Sequence, residues 1–159
     1  MSFRAGSKKE VIDNRTHFLE KFGIAYSEHV AMSCNHGDRI TLVDNKHFSV
    51  GATDPEDVLQ SEVLVTQKKH LALLLLTADC QPVSFFDPTT QTIALAHISR
   101  ATLVKKLTQK TVHFLSSELG IKPSNLLVQI GPHIKKESYA FLLPLEESVP
   151  ELLPYTEEK

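Results

Sequence analysis

Residues 71–99 read LALLLLTADCQPVSFFDPTTQTIALAHIS, and this stretch contains the pattern that decides the fold. The unbroken apolar run Leu71–Leu76 is typical of a strand buried on both faces. Pro82 cannot donate a hydrogen bond to a ladder, so it marks the start of a second strand, Val83–Phe86. The segment DPTT then forms a turn, and the chain returns as a third strand, Gln91–His97. The stretch therefore predicts an antiparallel hairpin preceded by a buried strand.

The predicted hairpin brings a thiol close to an imidazole. A turn centred near Thr89 places Gln81 opposite His97. Cys80 then lies within about one residue of His97 across the ladder, where opposed Cα atoms are roughly 5 Å apart. Such a pair can form part of a metal site or act as a nucleophile and its base. The alternative is that both side chains only fill the core, and the hairpin alone supports the two interpretations equally.

Length and composition restrict the class of protein. A chain of 159 residues with a formal charge of −2 at pH 7 is expected to form one domain with a substantial core. The balanced charge gives no reason to expect nucleic acid or a membrane as a partner. Two cysteines without a spacing pattern fit a reducing compartment, and MSFRAGSKKE lacks the apolar region of a signal peptide. We therefore expect a cytoplasmic protein.

The rest of the chain alternates between helix and strand patterns. A helix is predicted from Ser7, with Glu10 as its capping-box partner, to a stop at Gly23. A second helix is predicted from about Ser99 to Leu119, and its amide groups just after His97 would suit an anion such as phosphate. Further strands are predicted at Ile24–Val30, Arg39–Val43, Glu62–Thr66, Leu126–Ile130 and Tyr139–Leu143. The pattern indicates an α/β domain with a Cys/His site.

Several segments resemble the YfiH-like, or laccase-domain, family. TADCQPVSFFDPTTQTIALAHIS resembles the family signature TADCxPVxxxDP…AxAHAGWRG, and NHGDRITLVD resembles QVHGxxVxxVD. SFRAGSKKEVIDNRTHFLEKFGI resembles SLRxGDxxExVxENRxxFLxxLGI. EVLVT resembles DALVT, and NLLVQIGPHIKKESYAF resembles xIGPxIxxxxYEV. The likeness runs through nearly the whole chain in the right order.

This resemblance implies a fold, a metal site and an activity. The fold would be α/β (α+β), a mixed-sheet α/β/β/α sandwich over residues 1–143, with an acidic, proline-containing tail at 144–159. The implied metal ligands are His36, Cys80 and His97, which leave a fourth position open on zinc. The implied activity is phosphorolysis of purine nucleosides, with adenosine deamination alongside. The older assignment is copper-dependent oxidation of polyphenols, and the same ligands would also hold copper.

The resemblance also implies roles for residues that composition leaves unremarkable. Arg4 and Arg15 match arginines that contact substrate or phosphate in the family, and guanidinium groups suit a phosphate dianion. Arg100 stands near the predicted anion site at the helix start. Cys80, His97 and Asp79 are the candidate catalytic residues, with Asp79 either transferring protons or serving only the turn.

The chain departs from the family pattern in two places. HISRAT replaces HAGWRG after His97, and the chain stops soon after the GPxIxxxxYEV loop, where the family normally continues. These departures favour a second hypothesis, in which the protein keeps the metal ligands but binds a ligand or partner without turnover. A sheet edge exposed by the missing segment would favour a homodimer. An inert thiol is expected at Cys34, which replaces the glutamine of the family pattern.

Overall fold

The structure is a computed structural model that describes residues 6–52, 57–139 and 150–151. Its helices are α1 (Lys8–Glu20), α2 (Arg100–Val104) and α3 (Leu107–Leu119). Its strands are β1 (His29–Ser33), β2 (Ile40–Leu42), β3 (Leu59–Gln60), β4 (Val63–Thr66), β5 (Ala72–Leu74), β6 (Gln81–Asp87), β7 (Thr92–Ile98) and β8 (Leu127–Ile130). In this described part of the chain, no helix is long and apolar enough to cross a bilayer.

The strands form two sheets. Strand β1 lies between β3 and β5 and pairs in parallel with both. The other sheet has the strand order β2-β4-β7-β6-β8, in which β2 and β4 are parallel and the remaining pairs are antiparallel. This combination of helices with parallel and mixed sheets confirms the predicted mixed α/β fold class.

The core lies on both faces of the five-stranded sheet, because successive side chains of a strand point to opposite faces. Val63 and Val65 of β4 belong to an apolar cluster with Leu107 of α3. Leu64, between them, belongs to a second cluster with Val30 of β1. Helix α3 therefore covers one face of the five-stranded sheet, and the three-stranded sheet covers the other.

Helix α1 forms as predicted and lies beside the three-stranded sheet. The Ser7 side chain accepts a hydrogen bond from the amide of Glu10, and the Glu10 carboxylate accepts one from the amide of Ser7, as a capping box requires. On its buried side, Arg15 donates to the carbonyl oxygen of Gly51, a residue that lies against Ala31 of β1. These contacts complete the α/β/β/α order of layers.

The hairpin of β6 and β7 forms, but the predicted register is wrong by one residue. Pro82 lies opposite His97, and Gln81 lies opposite Ile98. The turn accounts for the shift. Asp87 Oδ2 accepts hydrogen bonds from the backbone amide and the hydroxyl of Thr90, so four residues, 88–91, connect the strands. Strand β6 begins at Gln81, so the prediction that Pro82 marks its start is also wrong by one residue.

The expectation that Leu71–Leu76 forms a strand buried on both faces is wrong. Only Ala72–Leu74 are in β5, all three are half-buried, and Leu76 is 41% exposed. Strand β5 pairs with β1, and the described residues provide no second partner strand. It is therefore an edge strand, and its continuous apolar sequence does not reflect burial on both faces.

Two other boundaries differ from the prediction. The strand expected at Ile24–Val30 begins only at His29, because residues 26–28 form a 3₁₀ turn whose Glu28 carboxylate accepts a hydrogen bond from the amide of Ala25. The helix expected from Ser99 to Leu119 is divided into α2 and α3 at Lys106, which adopts a left-handed backbone with φ of 57°. Gly120 ends α3, as predicted, with φ of 66°.

The C-terminal predictions fall mainly outside the described residues. Of the strand predicted at Tyr139–Leu143, only Tyr139 is described, and it is not in a strand. The tail at 144–159 is described only at residues 150–151. The boundary between the domain and the tail therefore stays a prediction.

Candidate metal centre

Three side chains from separate segments meet at one edge of the five-stranded sheet. They are His36 in the loop between β1 and β2, Cys80 just before β6, and His97 near the end of β7. One potential ligand atom from each lies within 4.8 Å of those of the other two. The two imidazole rings have centroids 5.3 Å apart. These are the three residues that the family resemblance implies as metal ligands.

Strand pairing explains why these segments meet. Strand β4 pairs in parallel with β2 and in antiparallel with β7, so Val63 lies beside both Ile40 and Ala96. The start of β2 and the end of β7 are therefore at the same edge of the sheet. The start of β6 reaches that edge too, because Pro82 lies opposite His97. Each ligand is attached to a strand end at this edge.

The His36 loop is held by contacts with α2 and α3. His36 has a left-handed backbone with φ of 62°, a conformation that costs a non-glycine residue about 1–2 kcal/mol. Its carbonyl oxygen accepts a hydrogen bond of 2.6 Å from Nζ of Lys105, which follows α2. Asp38 forms a 2.6 Å ion pair with Lys110 of α3. The loop is therefore anchored at its histidine and again two residues later.

Sequence reasoning missed a buried carboxylate behind the three ligands. Glu62 has no exposed surface, and its Oε2 lies 2.7 Å from Nδ1 of His97. Its Oε1 accepts hydrogen bonds from the backbone amides of Asn35, at 2.7 Å, and Gly37, at 3.0 Å. The available signal was a glutamate at the start of the otherwise apolar segment EVLVT.

The surroundings of Glu62 favour its ionised form. Burial disfavours the carboxylate, but the hydrogen bonds from His97 and from the amides of Gly37 and Asn35 outweigh burial, and the pKa of Glu62 is lowered. A carboxylate can only accept hydrogen bonds, so Nδ1 of His97 carries the proton. The other ring nitrogen, Nε2, then has its lone pair available for a metal.

The two cysteines near this centre differ in their surroundings. Burial raises the pKa of the Cys34 thiol to about 12, helped by the negative charge of Glu62, by the nearby Cys80 thiol and by a hydrogen bond with Glu62. Cys34, Glu62 and His97 also offer ligand atoms within 4.8 Å of one another. Since Glu62 is already hydrogen-bonded to His97, we interpret that second cluster as a hydrogen-bond network, in which Cys34 is a protonated thiol.

Cys80 also lies in surroundings that favour the neutral thiol. Burial raises its pKa, and the neighbouring charges of Asp79 and Glu62 raise it further. A metal ion that binds this sulfur must therefore displace its proton. Asp79 itself is exposed, with a left-handed φ of 76°, and its carbonyl oxygen accepts a hydrogen bond from the amide of Ile134.

The loop after β8 packs against the segment that carries Cys80. The amide of Gly131 donates to the carbonyl oxygen of Pro82, and a Cβ on Gly131 would lie 2.8 Å from Cγ of Pro82. Nε2 of His133 lies 3.3 Å from the side-chain amide nitrogen of Gln81. This close approach requires a glycine and places a further histidine near the centre.

The three arginines predicted to contact substrate are in different situations. Arg4 lies outside the described residues. Arg15 is only 5% exposed and donates from Nη1 to the carbonyl oxygen of Gly51 at 2.8 Å. Arg100 is the half-buried first residue of α2, three positions after His97. Of the two predicted contacts that are described, Arg15 and Arg100, only Arg100 is close to a candidate metal ligand along the chain.

The donor set suits a transition metal. Three protein ligands that leave a fourth position open are typical of catalytic zinc, and two imidazoles with one thiol are also a donor set that holds copper. The spread of 4.8 Å or less allows one ion to contact all three side chains after small movements. The ligands fit a metal ion, but their identity does not distinguish zinc from copper.

Comparison with known proteins places the chain in a family. The family described as "Multi-copper polyphenol oxidoreductase laccase" matches residues 2–157. Purine nucleoside phosphorylase YlmD of Bacillus subtilis is 27% identical over 131 residues, which cover 82% of this chain and 47% of YlmD. A purine nucleoside phosphorylase of Streptomyces coelicolor is 30% identical over 129 residues, covering 81% of this chain and 50% of that protein.

Solved structures agree with the sequence comparison. The Bacillus licheniformis hypothetical protein YfiH has a TM-score of 0.81 at 27% identity and covers 83% of this chain and 50% of its own. YlmD from Geobacillus stearothermophilus has a TM-score of 0.79 at 26% identity, with 82% and 48% covered. The chain spans about half the length of these relatives. It belongs to the multicopper polyphenol oxidoreductase laccase family, which is the laccase-domain group of YfiH and YlmD.

Proposed function

We propose that the protein is a zinc-dependent purine nucleoside phosphorylase that acts on adenosine or inosine. The observation that carries this proposal is the convergence of His36, Cys80 and His97 in a chain whose relatives bear that enzyme's name. In phosphorolysis, an oxygen of inorganic phosphate bonds to C1′ of the ribose, and the bond from C1′ to the base breaks. The electron pair leaves with the base, which then takes up a proton.

The roles of individual residues follow from their chemistry. His36, Cys80 and His97 would hold the metal, which when bound supplies a Lewis acid and can lower the pKa of a bound water. Asp79 is exposed beside Cys80, so its carboxyl group can exchange a proton with the departing base. Arg100 would bind phosphate through its guanidinium group. Arg4 and Arg15 enter the proposal on the family resemblance alone.

The proposal also includes a second reaction and a cellular location. Hydrolytic deamination of adenosine is a second reaction that the same centre would support. The bound metal would supply a Lewis acid that lowers the pKa of water, and the purine C6 would gain a bond to oxygen as its bond to the amino nitrogen breaks and ammonia leaves. The cytoplasm is the proposed location, because both cysteines are free thiols and one of them is a candidate ligand.

The first test measures base release from inosine and adenosine by the zinc-loaded protein, with and without inorganic phosphate. Free base and ribose 1-phosphate should form only when phosphate is present, while conversion of adenosine to inosine should not need it. Cys80→Ser should abolish both reactions, and His113→Gln, on the exposed face of α3, should have little effect. Stoichiometric zinc without turnover would instead favour the hypothesis of a ligand-binding protein.

Copper is tested separately. The oxidoreductase hypothesis requires that oxidation of a phenol increases with copper occupancy and disappears in Cys80→Ser. If zinc-loaded protein cleaves nucleosides and copper-loaded protein leaves phenols unchanged, the oxidoreductase hypothesis is excluded.

We also propose that the protein forms a homodimer through β8. Leu127, Val128 and Ile130 of this strand are 61%, 54% and 57% exposed, although β8 is paired with β6. An exposed apolar strand at a sheet edge can pair with a second copy. Sedimentation should detect a dimer that Val128→Lys weakens. Leu103→Lys, at a 51% exposed leucine of α2, is the control and should leave the dimer intact.

A further inference from the structure

Three groups in two separate segments hydrogen-bond to the carboxylate of Glu62. They are Nδ1 of His97 and the backbone amides of Asn35 and Gly37, and Sγ of Cys34 lies within 4.8 Å of the carboxylate. The backbone of Glu62 also contacts β7, the strand that carries His97, since its carbonyl oxygen accepts a hydrogen bond of 2.8 Å from the amide of His97. A carboxylate has about four acceptor positions, and these three donors occupy most of them.

These contacts reach two of the three candidate ligands. The contact with His97 is direct and sets which ring nitrogen carries the proton. The contact with His36 is indirect, because Asn35 and Gly37 flank it and both donate to the same Oε1 atom. His36 has a strained left-handed backbone, so its loop needs support from its neighbours. One buried side chain therefore connects the strand of one ligand to the loop of another.

We propose that Glu62 is the positioning residue of the metal centre, which orients His97 through Nδ1 and holds the His36 loop through the two flanking amides. The proposal deepens the proposed function, because it rests on the same metal centre. Glu62 is not itself a ligand in this arrangement. Its Oε2 is 2.7 Å from Nδ1 of His97, and this nitrogen points away from a metal bound through Nε2.

Glu62→Gln tests the proposal because an amide has only one acceptor oxygen. If that oxygen faces the two backbone amides, the NH₂ group faces Nδ1 of His97. Nδ1 must then accept a hydrogen bond, which moves the ring proton to Nε2 and blocks metal binding there. If the amide is turned round, its NH₂ group opposes two N–H donors and the His36 loop loses its support. Either orientation of the amide should weaken metal binding at the centre.

Two measurements decide the question. Zinc affinity, from competition with a chelator, should fall about 10–100-fold in Glu62→Gln. In the metal-free protein, ¹⁵N NMR of the His97 ring should show the proton on Nδ1 in the wild type and a change of tautomer or ring environment in the variant. Asp87→Asn is the matched control. Asp87 is also a buried carboxylate, 1% exposed, but it binds Thr90 at the turn of the hairpin.

The outcomes separate the inference from the proposed function. Wild-type zinc affinity and an unchanged His97 tautomer in folded Glu62→Gln would overturn the role of Glu62, whatever the protein catalyses. Failure of the wild type to bind zinc would count against the proposed function, and the NMR result on metal-free protein would still decide the role of Glu62. Glu62→Asp, which keeps the charge but shortens the reach, provides the test if Glu62→Gln does not fold.

Discussion

Arg15 of α1 donates a 2.8 Å hydrogen bond from Nη1 to the carbonyl oxygen of Gly51, 36 residues further along the chain. The guanidinium also interacts with Tyr26, whose hydroxyl donates to the carbonyl oxygen of Ala52. Arg15 is 5% exposed, so the helix directs a charged side chain into the protein rather than into solvent. The contact joins α1 to the segment that lies against β1.

The first prediction concerns the stability that Arg15 contributes. Arg15→Leu should lower the free energy of unfolding by about 1–3 kcal/mol, because it leaves the buried carbonyl oxygen of Gly51 without this donor. Arg39→Leu is the control, since Arg39 is exposed and its hydrogen bond to the carbonyl oxygen of Gln60 is 3.4 Å long. Its effect should stay within about 0.5 kcal/mol. Urea unfolding of both variants makes the comparison, and equal losses would contradict a structural role for Arg15.

The second prediction compares two glycines with similar backbones but different surroundings. Gly51 has φ of 74°, and an added Cβ would lie 2.8 Å from Cβ of Ala31. Gly120 has φ of 66°, with nothing within 4 Å of an added Cβ. Gly120→Ala should therefore cost about 1–2 kcal/mol for the left-handed backbone alone. Gly51→Ala should cost about 1–3 kcal/mol more than Gly120→Ala, because the added methyl group overpacks the core. Thermal unfolding measures the difference.

The third prediction is a pH dependence that originates at His29. This side chain has no exposed surface. Its Nδ1 lies 2.6 Å from the carbonyl oxygen of Tyr26, while Nε2 has no hydrogen-bond partner among the described residues. Burial lowers the pKa of His29, the hydrogen bond to Tyr26 partly opposes that effect, and the positive charge of Arg15 adds to it. The folded protein therefore resists protonation of this ring.

The sign of the effect follows from linkage. Below a pH of about 6.5, His29 in the unfolded chain takes up a proton that it does not take up in the folded protein until a lower pH. The unfolded state then binds more protons, so stability is complete above pH 6.5 and falls as the pH is lowered towards 5, by at most about 1.4 kcal/mol per pH unit. His29→Gln should flatten this slope in metal-free protein, and His113→Gln should not. A slope unchanged in His29→Gln would contradict the assignment.

The sequence predicted the helix ends and the hairpin because the interactions that form them join residues close together in the chain. The capping box of Ser7 and Glu10 involves residues three positions apart, and the structure has the hydrogen bonds that the sequence indicated. Gly120 ends α3 for a similar reason, since only its own backbone conformation is at issue. The hairpin was also predictable, but its register depended on how the Asp87 side chain binds Thr90.

The site was less accessible to sequence reasoning. Cys80 and His97 are neighbours through a hairpin, so their proximity was predictable from the residues alone. His36 entered only through the family resemblance, because its approach depends on β4 lying between β2 and β7. The role of Glu62 was missed for the same reason, since its partners are 25 to 35 positions distant in the sequence. A pattern of neighbouring residues in the sequence does not indicate contacts between residues so far apart.

The position of β4 between β2 and β7 has a consequence for the order of events in folding. Cys80 and His97 can approach once the hairpin forms, whereas His36 can join them only after the two more distant strand pairings are complete. A metal ion should therefore bind with all three ligands late, after the rate-limiting step. Zinc should slow the unfolding rate and leave the refolding rate almost unchanged.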